Sequence, residues 1–585
     1  MKKGAVFNNT SYELNNLISE IDSGIIALPD LQRPYVWSNV KIRDLIDSLY
    51  KGLPVGLLIL WKIGANAENK PKSIGKDKST SPNRLVIDGQ QRLTSLFTIF
   101  TGKPVLDKDY KWKTPKISFN PFTEEIQVQN SSIKKNPEWI PDITEIFTTS
   151  SFRTFQNFKK NLLEKRPDLE INDEEIMDKI ERIDDIRHYQ FSVLELSPNL
   201  DPEEVSDIFV RINSQGKKLN TSDFILTLMS VYWDEGKETL EQFVKGCKIP
   251  SDDSFSPFNT IYAQPDTDHI LRPAIALSFL RGRLKYAYLI LKGRNLENQT
   301  ITEEERDKNL EIFKKSLEKT VNIQYWHDFI KIIESIGFIN YKTLIPSKFP
   351  FYSCYGLYLI GREKFHLPYN ELNRIIQKWF VFIQLTSRYG SSQESEFERD
   401  LAYLKDENAD FVGILTNIIN TELTEDFWNI TLPERLISSQ SNPSGRIYLA
   451  SKIFAGENIL FSKGVLRNHL SPFVKAPKKS VDIHHIFPKN YLKNMGIDQS
   501  RDYNQQANKI YIEYKDNIKI SDKSPEEYWF IMLDSLNEAE QEELMNTYTE
   551  KYDLPHEFWN MDYFEFLEAR RKLMAKSIRE YFEKI

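Results

Sequence analysis

Apolar residues recur along this chain in two rhythms, and the change from one to the other marks its elements. Ile25 to Leu28 is a short apolar run that predicts a strand. Ser38 is placed to cap a helix whose Ile42, Leu45, Ile46 and Leu49 share one face, with Gly52 as its stop. Val55 to Trp61 predicts a buried strand, and Ile63 to Asn83, polar and rich in Lys and Ser, a surface loop. Leu85-Val86-Ile87 predicts another strand, Asp88-Gly89 a turn, and Leu93, Leu96, Phe97 and Phe100 a helix ending at Gly102. Residues 103–190 mix helical patterns with polar connections and hold no chemical motif. Asp201 and Pro202 open a further helix, and Asn220 with Asp223 caps the next through a capping box. From Leu240 to Ala455 the spacing is almost entirely that of amphipathic helices rich in Phe, Tyr and Trp. Near the C-terminus, Val481–Phe487 and the residues after Asn508 predict a β-hairpin leading into a helix.

With 585 residues the chain is long enough for several cores, and the patterns divide it at 1–235, 236–455 and 456–585. The expected class is α+β and multidomain, with a mainly helical middle. A hydrophobic content of 40% excludes a disordered chain. The net charge of −7 excludes a generally basic coat for nucleic acid. It does not exclude a local one: Lys463–Lys523 carries twelve Lys and Arg against six Asp and Glu. Such a concentration suits a phosphate-binding surface, and equally a solvated one. Arg281, Arg283, Lys285, Lys292 and Arg294, interleaved with Tyr286 and Tyr288, form an acid-free stretch open to the same two readings. The two cysteines, Cys247 and Cys354, form no metal or disulfide pattern, and no run reaches the roughly 18 apolar residues of a membrane span. A cytoplasmic protein without a membrane partner is expected.

Two stretches carry candidate chemistry. In the first, Asp88-Gly89 leads a strand into a helix opened by Gln90, Gln91 and Arg92. A helix N-terminus presents amide N–H groups and the positive end of its dipole, which suits an anion. Arg92 could grip a phosphate through two bonds, and Asp88 could hold a metal or water. Many such turns merely connect elements. In the second, two of the chain's eight histidines, His484 and His485, stand together behind Asp482, with Asn508 and Asn517 downstream. Neutral imidazole and a carboxamide oxygen can both ligate one divalent ion, and a second imidazole can take a proton from water. That set would hydrolyse a phosphodiester. A bare His-His pair in a strand could instead put one ring in the core and the other in solvent.

The stretches Gln32-Arg33-Pro34-Tyr35-Val36-Trp37 and Asp88-Gly89-Gln90-Gln91-Arg92-Leu93-Thr94 resemble the ParB/sulfiredoxin-like N-terminal domain of GmrSD-type modification-dependent restriction proteins. The segment from Ile208 to Leu219, with Arg211 and Lys217, belongs to the same pattern, so the resemblance spans roughly residues 10–230. It implies a nucleotide-binding and hydrolysing domain with Gln32, Arg33, Asp88, Gly89, Gln90, Gln91 and Arg92 at the nucleotide. Whether that is GTP, UTP, ATP or CTP stays open.

The order His484-His485-Ile486-Phe487-Pro488, with Asn508 and Asn517, resembles the HNH (His-Me finger, ββα-metal) nuclease domain that follows in the same group. The resemblance implies His484 and Asn517 as ligands of Mg or Mn, with Asp482 beside them, His485 as the general base and Asn508 as the residue that braces that base through the β-hairpin. The 22 residues between His485 and Asn508 are a longer excursion than compact HNH domains use, which bears on the Asn508 assignment. The implied protein is an NTP-regulated endonuclease of a restriction or anti-phage system. Its partners would be modified double-stranded DNA and a nucleoside triphosphate, and it could act as a homodimer. The competing expectation is a nucleotide-dependent DNA-binding or regulatory protein with an inactive HNH domain.

Overall fold

The structure is a computed structural model. It describes residues 6–585 apart from 28–34, 36, 63–82, 108–110, 168, 199, 201–203, 206–207, 209–221, 223–224, 227–228, 230–231, 249–263, 296–299, 341–343, 346, 407, 438–441 and 472–480. Two compact units result, Met1–Thr239 and Leu240–Ile585, and the class is mixed α+β.

In the first unit the strands are β1 (Phe7–Glu13), β2 (Ile26–Ala27), β3 (Leu58–Lys62) and β4 (Arg84–Asp88). There follow the short pairs β5 (Val105–Leu106) with β6 (Trp112–Lys113) and β7 (Ile117–Asn120) with β8 (Glu125–Val128), and then β9 (Gln190–Leu196). The five-stranded sheet has the order β1-β9-β3-β4-β2. β9 runs antiparallel to β1 and parallel to β3, β3 is antiparallel to β4, and β4 is parallel to β2.

Strand residues alternate between two faces, and here both are buried. Leu58, Leu60, Val86 and Val193 join the larger core, beneath α1 (Leu14–Ser23), α2 (Asn39–Tyr50) and α3 (Gln90–Thr101). Ile59, Trp61, Leu85 and Ile87 face the opposite way, toward Leu200 and Val205. Ser38 caps α2 by accepting from the Lys41 amide, and Gly102, at φ +68°, ends α3.

The strand expected over Val55–Trp61 begins only at Leu58. The physical reason is Arg92: its guanidinium takes the carbonyls of Val55 and Leu57, which fixes that segment outside the sheet. The 103–190 region holds two β-pairs besides its helices. Most of Ile208–Leu219, including Arg211 and Lys217, lies outside the described residues.

The second unit is mainly helical, around buried Trp326, Tyr355 and Trp379. Toward its end stand β10 (Val481–His485) and β11 (Lys509–Glu513), an antiparallel pair, followed by the helix Tyr514–Ile520. The excursion between the strands folds as two short helices, Lys489–Asn494 and Ser500–Tyr503. The acid-free Arg281 stretch is not left unpaired: Glu398, from the helix Gln393–Ala402, bonds Arg281 at 2.6 Å and the amides of Gly282 and Arg283. The loop after Leu385 turns Arg388 inward onto Asp400 and Glu422. Cys247 and Cys354 are buried free thiols. No helix among the described residues is long and apolar enough to cross a membrane.

Candidate active site

The register of the C-terminal hairpin sets the site. His484 lies opposite Ile510 and His485 opposite Lys509, so the two adjacent rings leave the strand on opposite faces. His484 is buried at 3% exposure, and His485 is half-buried. The helix Tyr514–Ile520 follows β11 directly and carries Asn517 onto the His484 face. His484 Nδ1 lies 3.0 Å from Asn517 Oδ1. The Asn517 amide group donates to Asp482 Oδ2 at 2.9 Å. Asp482 therefore decides which end of the carboxamide faces the imidazole: its oxygen. Asp482, His484 and Asn517 thus come together in one polar cluster.

Burial holds the His484 pKa well down, to about 4, so its ring is neutral at ordinary pH, as a metal ligand must be. The 3.0 Å between Nδ1 and Oδ1 is a hydrogen bond as it stands, and the same two atoms would be the donors to a divalent cation. His484 Nε2 is buried and hydrogen-bonds to nothing. Shifting the ring proton from Nδ1 to Nε2 would give up the bond to Asn517 and leave a buried N–H without an acceptor, so bond formation to a cation would have to offset both. The donor set fits a divalent cation.

His485 faces a different environment. Its Nε2 meets Asn504 Oδ1 at 2.9 Å, while the Asn504 amide donates to Ser500 Oγ at 2.8 Å. Burial lowers the His485 pKa, the Asn504 bond acts against that, and the nearby Lys509 and Lys489 add to the lowering. A neutral imidazole can accept a proton.

Asn508 directs its side-chain hydrogen bonds to the backbone around His485 and not to the ring. Fully buried, it accepts from the Phe487 amide at 2.8 Å and donates to the carbonyls of Phe487 (3.1 Å) and Tyr503 (3.0 Å). It clamps the turn just after the histidines to the end of the excursion. Behind β11, the fully buried Arg570 of the helix Tyr563–Lys584 donates to the carbonyls of Ala507 at 2.7 Å and Lys509 at 2.9 Å.

In the first unit, Gly89 caps α3 at φ +98°. A Cβ there would stand 2.1 Å from a methyl of Leu58, so both backbone and space require glycine. Gln90, Gln91 and Arg92 form the first turn, with Asp88 at the end of β4. Arg92 is turned back on its own chain, at 2.7 Å from Val55 O, 2.7 Å from Leu57 O and 3.1 Å from Asp88 Oδ2. Gln32 and Arg33 lie outside the described residues. His188, at Glu13 Oε1 (3.0 Å), takes no part in either site.

Nothing in the sequence singles out Asn504, Ser500 or Arg570. Asn504 sits in the polar run Asp502-Tyr503-Asn504-Gln505-Gln506, where nothing distinguishes it, and Arg570 is one of many charges on an amphipathic helix.

Over its whole length the chain is similar to the uncharacterized protein MJ0686 of Methanocaldococcus jannaschii, with 26% identity covering 98% of this chain and 95% of that one. Residues 14–230 match the family described as GmrSD restriction endonuclease, N-terminal domain. That match takes in Gly89 and the strands β2, β3, β4 and β9 of the five-stranded sheet, and it concerns the N-terminal part of the chain.

Proposed function

We propose that the chain is a metal-dependent DNA endonuclease of a restriction or defence system, with hydrolysis at the C-terminal hairpin. The observation that carries this reading is the convergence of His484, Asn517 and Asp482 in one polar cluster, with His485 next in the strand and close enough to bias His484 electrostatically. The match to a restriction endonuclease family supplies DNA as the substrate class.

His484 and Asn517 would hold the cation, and Asp482 fixes the amide oxygen toward it. A divalent cation, when bound, stabilises negative charge developing on the phosphodiester and its leaving oxygen. His485 takes the proton from the attacking water, a contribution of roughly 10²–10⁴-fold. Lys489 and Lys509, close enough to bias His485 electrostatically, bring positive charge to the strand that carries the phosphate.

The N-terminal domain binds and hydrolyses a nucleoside triphosphate at the Gly89 turn and so controls cleavage, and modified DNA is the target. Support for this part is the family match and the strand–turn–helix geometry, whose helix dipole favours a phosphate. Because Arg92 is engaged by its own backbone, its role there is to hold the Val55–Leu57 segment beside the turn, and direct phosphate contact falls to other groups.

The test is plasmid nicking by the purified full-length protein with Mg²⁺ or Mn²⁺, on plain and modified DNA, with each NTP added or withheld. Metal-dependent nicking by the wild type that disappears in His485→Ala, with DNA binding retained, supports the reading. Equal nicking by wild type and His485→Ala would overturn it.

A further inference from the structure

We propose that Asn504 is a positioning residue that fixes His485 in the Nε2–H tautomer, leaving Nδ1 as the proton acceptor. The inference rests on the nuclease reading above and names the atom that does its work. A carboxamide oxygen can only accept hydrogen bonds. The Asn504 amide group is directed to Ser500 Oγ at 2.8 Å, so its oxygen is the atom at 2.9 Å from His485 Nε2. A lone pair on Nε2 would face the lone pairs of that oxygen. The hydrogen therefore resides on Nε2, and the lone pair of the neutral ring on Nδ1.

The excursion between the strands is what places this group. Ser500–Tyr503 is a single helical turn ending at Asn504, whose amide N–H bonds Ser500 O. The turn itself is anchored from three sides. Asn508 Nδ2 holds Tyr503 O, Tyr563 Oη holds Asp502 O at 2.8 Å, and Arg571 holds Gln505 Oε1 at 2.9 Å. Asn504 is thus delivered to His485 on a fixed backbone, as a group that sets a tautomer must be. The extra length between His485 and Asn508 thereby acquires a use: it supplies an acceptor to the base from outside the two strands.

Two substitutions of similar volume separate positioning from folding. Asn504→Leu removes the acceptor, and Asn504→Asp keeps an oxygen on Nε2–H. In the full-length protein, Asn504→Leu should slow single-turnover nicking of plasmid DNA with Mn²⁺ roughly 10–100-fold, the usual cost of losing such a partner, with DNA affinity within about twofold. Asn504→Asp should recover most of that rate. Histidine ¹⁵N resonances, assigned to His485 by comparison with His485→Ala, read the tautomer without any cleavage. The wild type should show Nε2–H and Asn504→Leu a mixture. A wild-type Nδ1–H signal, or an Asn504→Asp protein as slow as Asn504→Leu, would overturn the proposal. A wild type that cuts nothing while its Nε2–H signal depends on Asn504 would overturn the nuclease reading and with it the catalytic use of this tautomer, leaving the contact itself established.

Discussion

Replacing Asn508 with leucine tests how the hairpin keeps its histidines in place. The two side chains have nearly the same shape, so the change removes polarity and little volume. Three buried groups lose their partner: the Phe487 amide, the Phe487 carbonyl and the Tyr503 carbonyl. Asn508 is 0% exposed, so water does not replace the lost side chain without local opening. An unsatisfied buried polar group costs about 1–3 kcal/mol, and three such groups, partly relaxed, give roughly 4 kcal/mol. At 1.36 kcal/mol per decade this is about a thousandfold loss of protection against hydrogen exchange in the segment. The assay is exchange at the amides of Ile486 and Phe487, which bond Asn508 O and Oδ1. Nuclease rate is measured beside it. Asn508→Asp keeps one acceptor but turns an oxygen toward two carbonyls, so it should not restore protection. Wild-type exchange at Ile486 and wild-type cleavage in a folded Asn508→Leu protein would refute the clamp.

Asn517→Ala should weaken metal activation more than DNA binding, because the carboxamide brings coordination and no charge; raised Mn²⁺ should partly rescue the rate, and an unchanged metal titration would place the ligand elsewhere. Arg92→Ala should lower the stability of the N-terminal unit by about 1–3 kcal/mol through loss of the Val55 and Leu57 contacts, read by denaturant titration, with nucleotide affinity falling as the turn loosens. An unchanged midpoint would mean those contacts are replaced by water at no cost. His484, held near pKa 4 by burial and returning to about 6.5 when unfolded, contributes stability that is complete above about pH 6.5 and is lost as pH falls toward 4. The span of about 2.5 units is worth on the order of 3 kcal/mol, and His484→Gln should flatten that part of the pH–stability curve of the C-terminal unit.

What could be read from the chain itself was local. The Gly89 turn announces itself through Asp-Gly between an apolar run and a helical stripe, and Ser38 and Gly102 mark helix ends by the same short-range chemistry. The gathering of Asp482, His484 and Asn517 follows from hairpin register and one helical turn, which is also short-range. Partners distant in sequence were out of reach. The basic stretch at Arg281 has no acid within it, but Glu398 arrives from 117 residues away. β9 enters the first sheet between β1 and β3 after a long helical detour, and its alternating pattern does not say which strands it joins. Asn504 belongs to the same class: a carboxamide in a polar run acquires meaning only once a helical turn aims it at a histidine.

The hold that Arg570 takes on the Ala507 and Lys509 carbonyls bears on how the proposed nuclease site could be cut down or transplanted. The strands and ligand helix occupy Val481–Ile520, and on a linear map they look like a detachable cassette. Their backbone is completed from beyond that span: Arg570 and Tyr563 reach in from Tyr563–Lys584, and Tyr528 Oη bonds Ile486 O at 2.8 Å. A fragment ending after Ile520 would keep Asp482, His484, His485, Asn504 and Asn517 and lose the scaffold that aims them. The minimal portable unit therefore runs through the final helix. In a related chain, an intact His-His pair followed by an eroded distal helix would mark a nuclease that has lost its activity while keeping its signature.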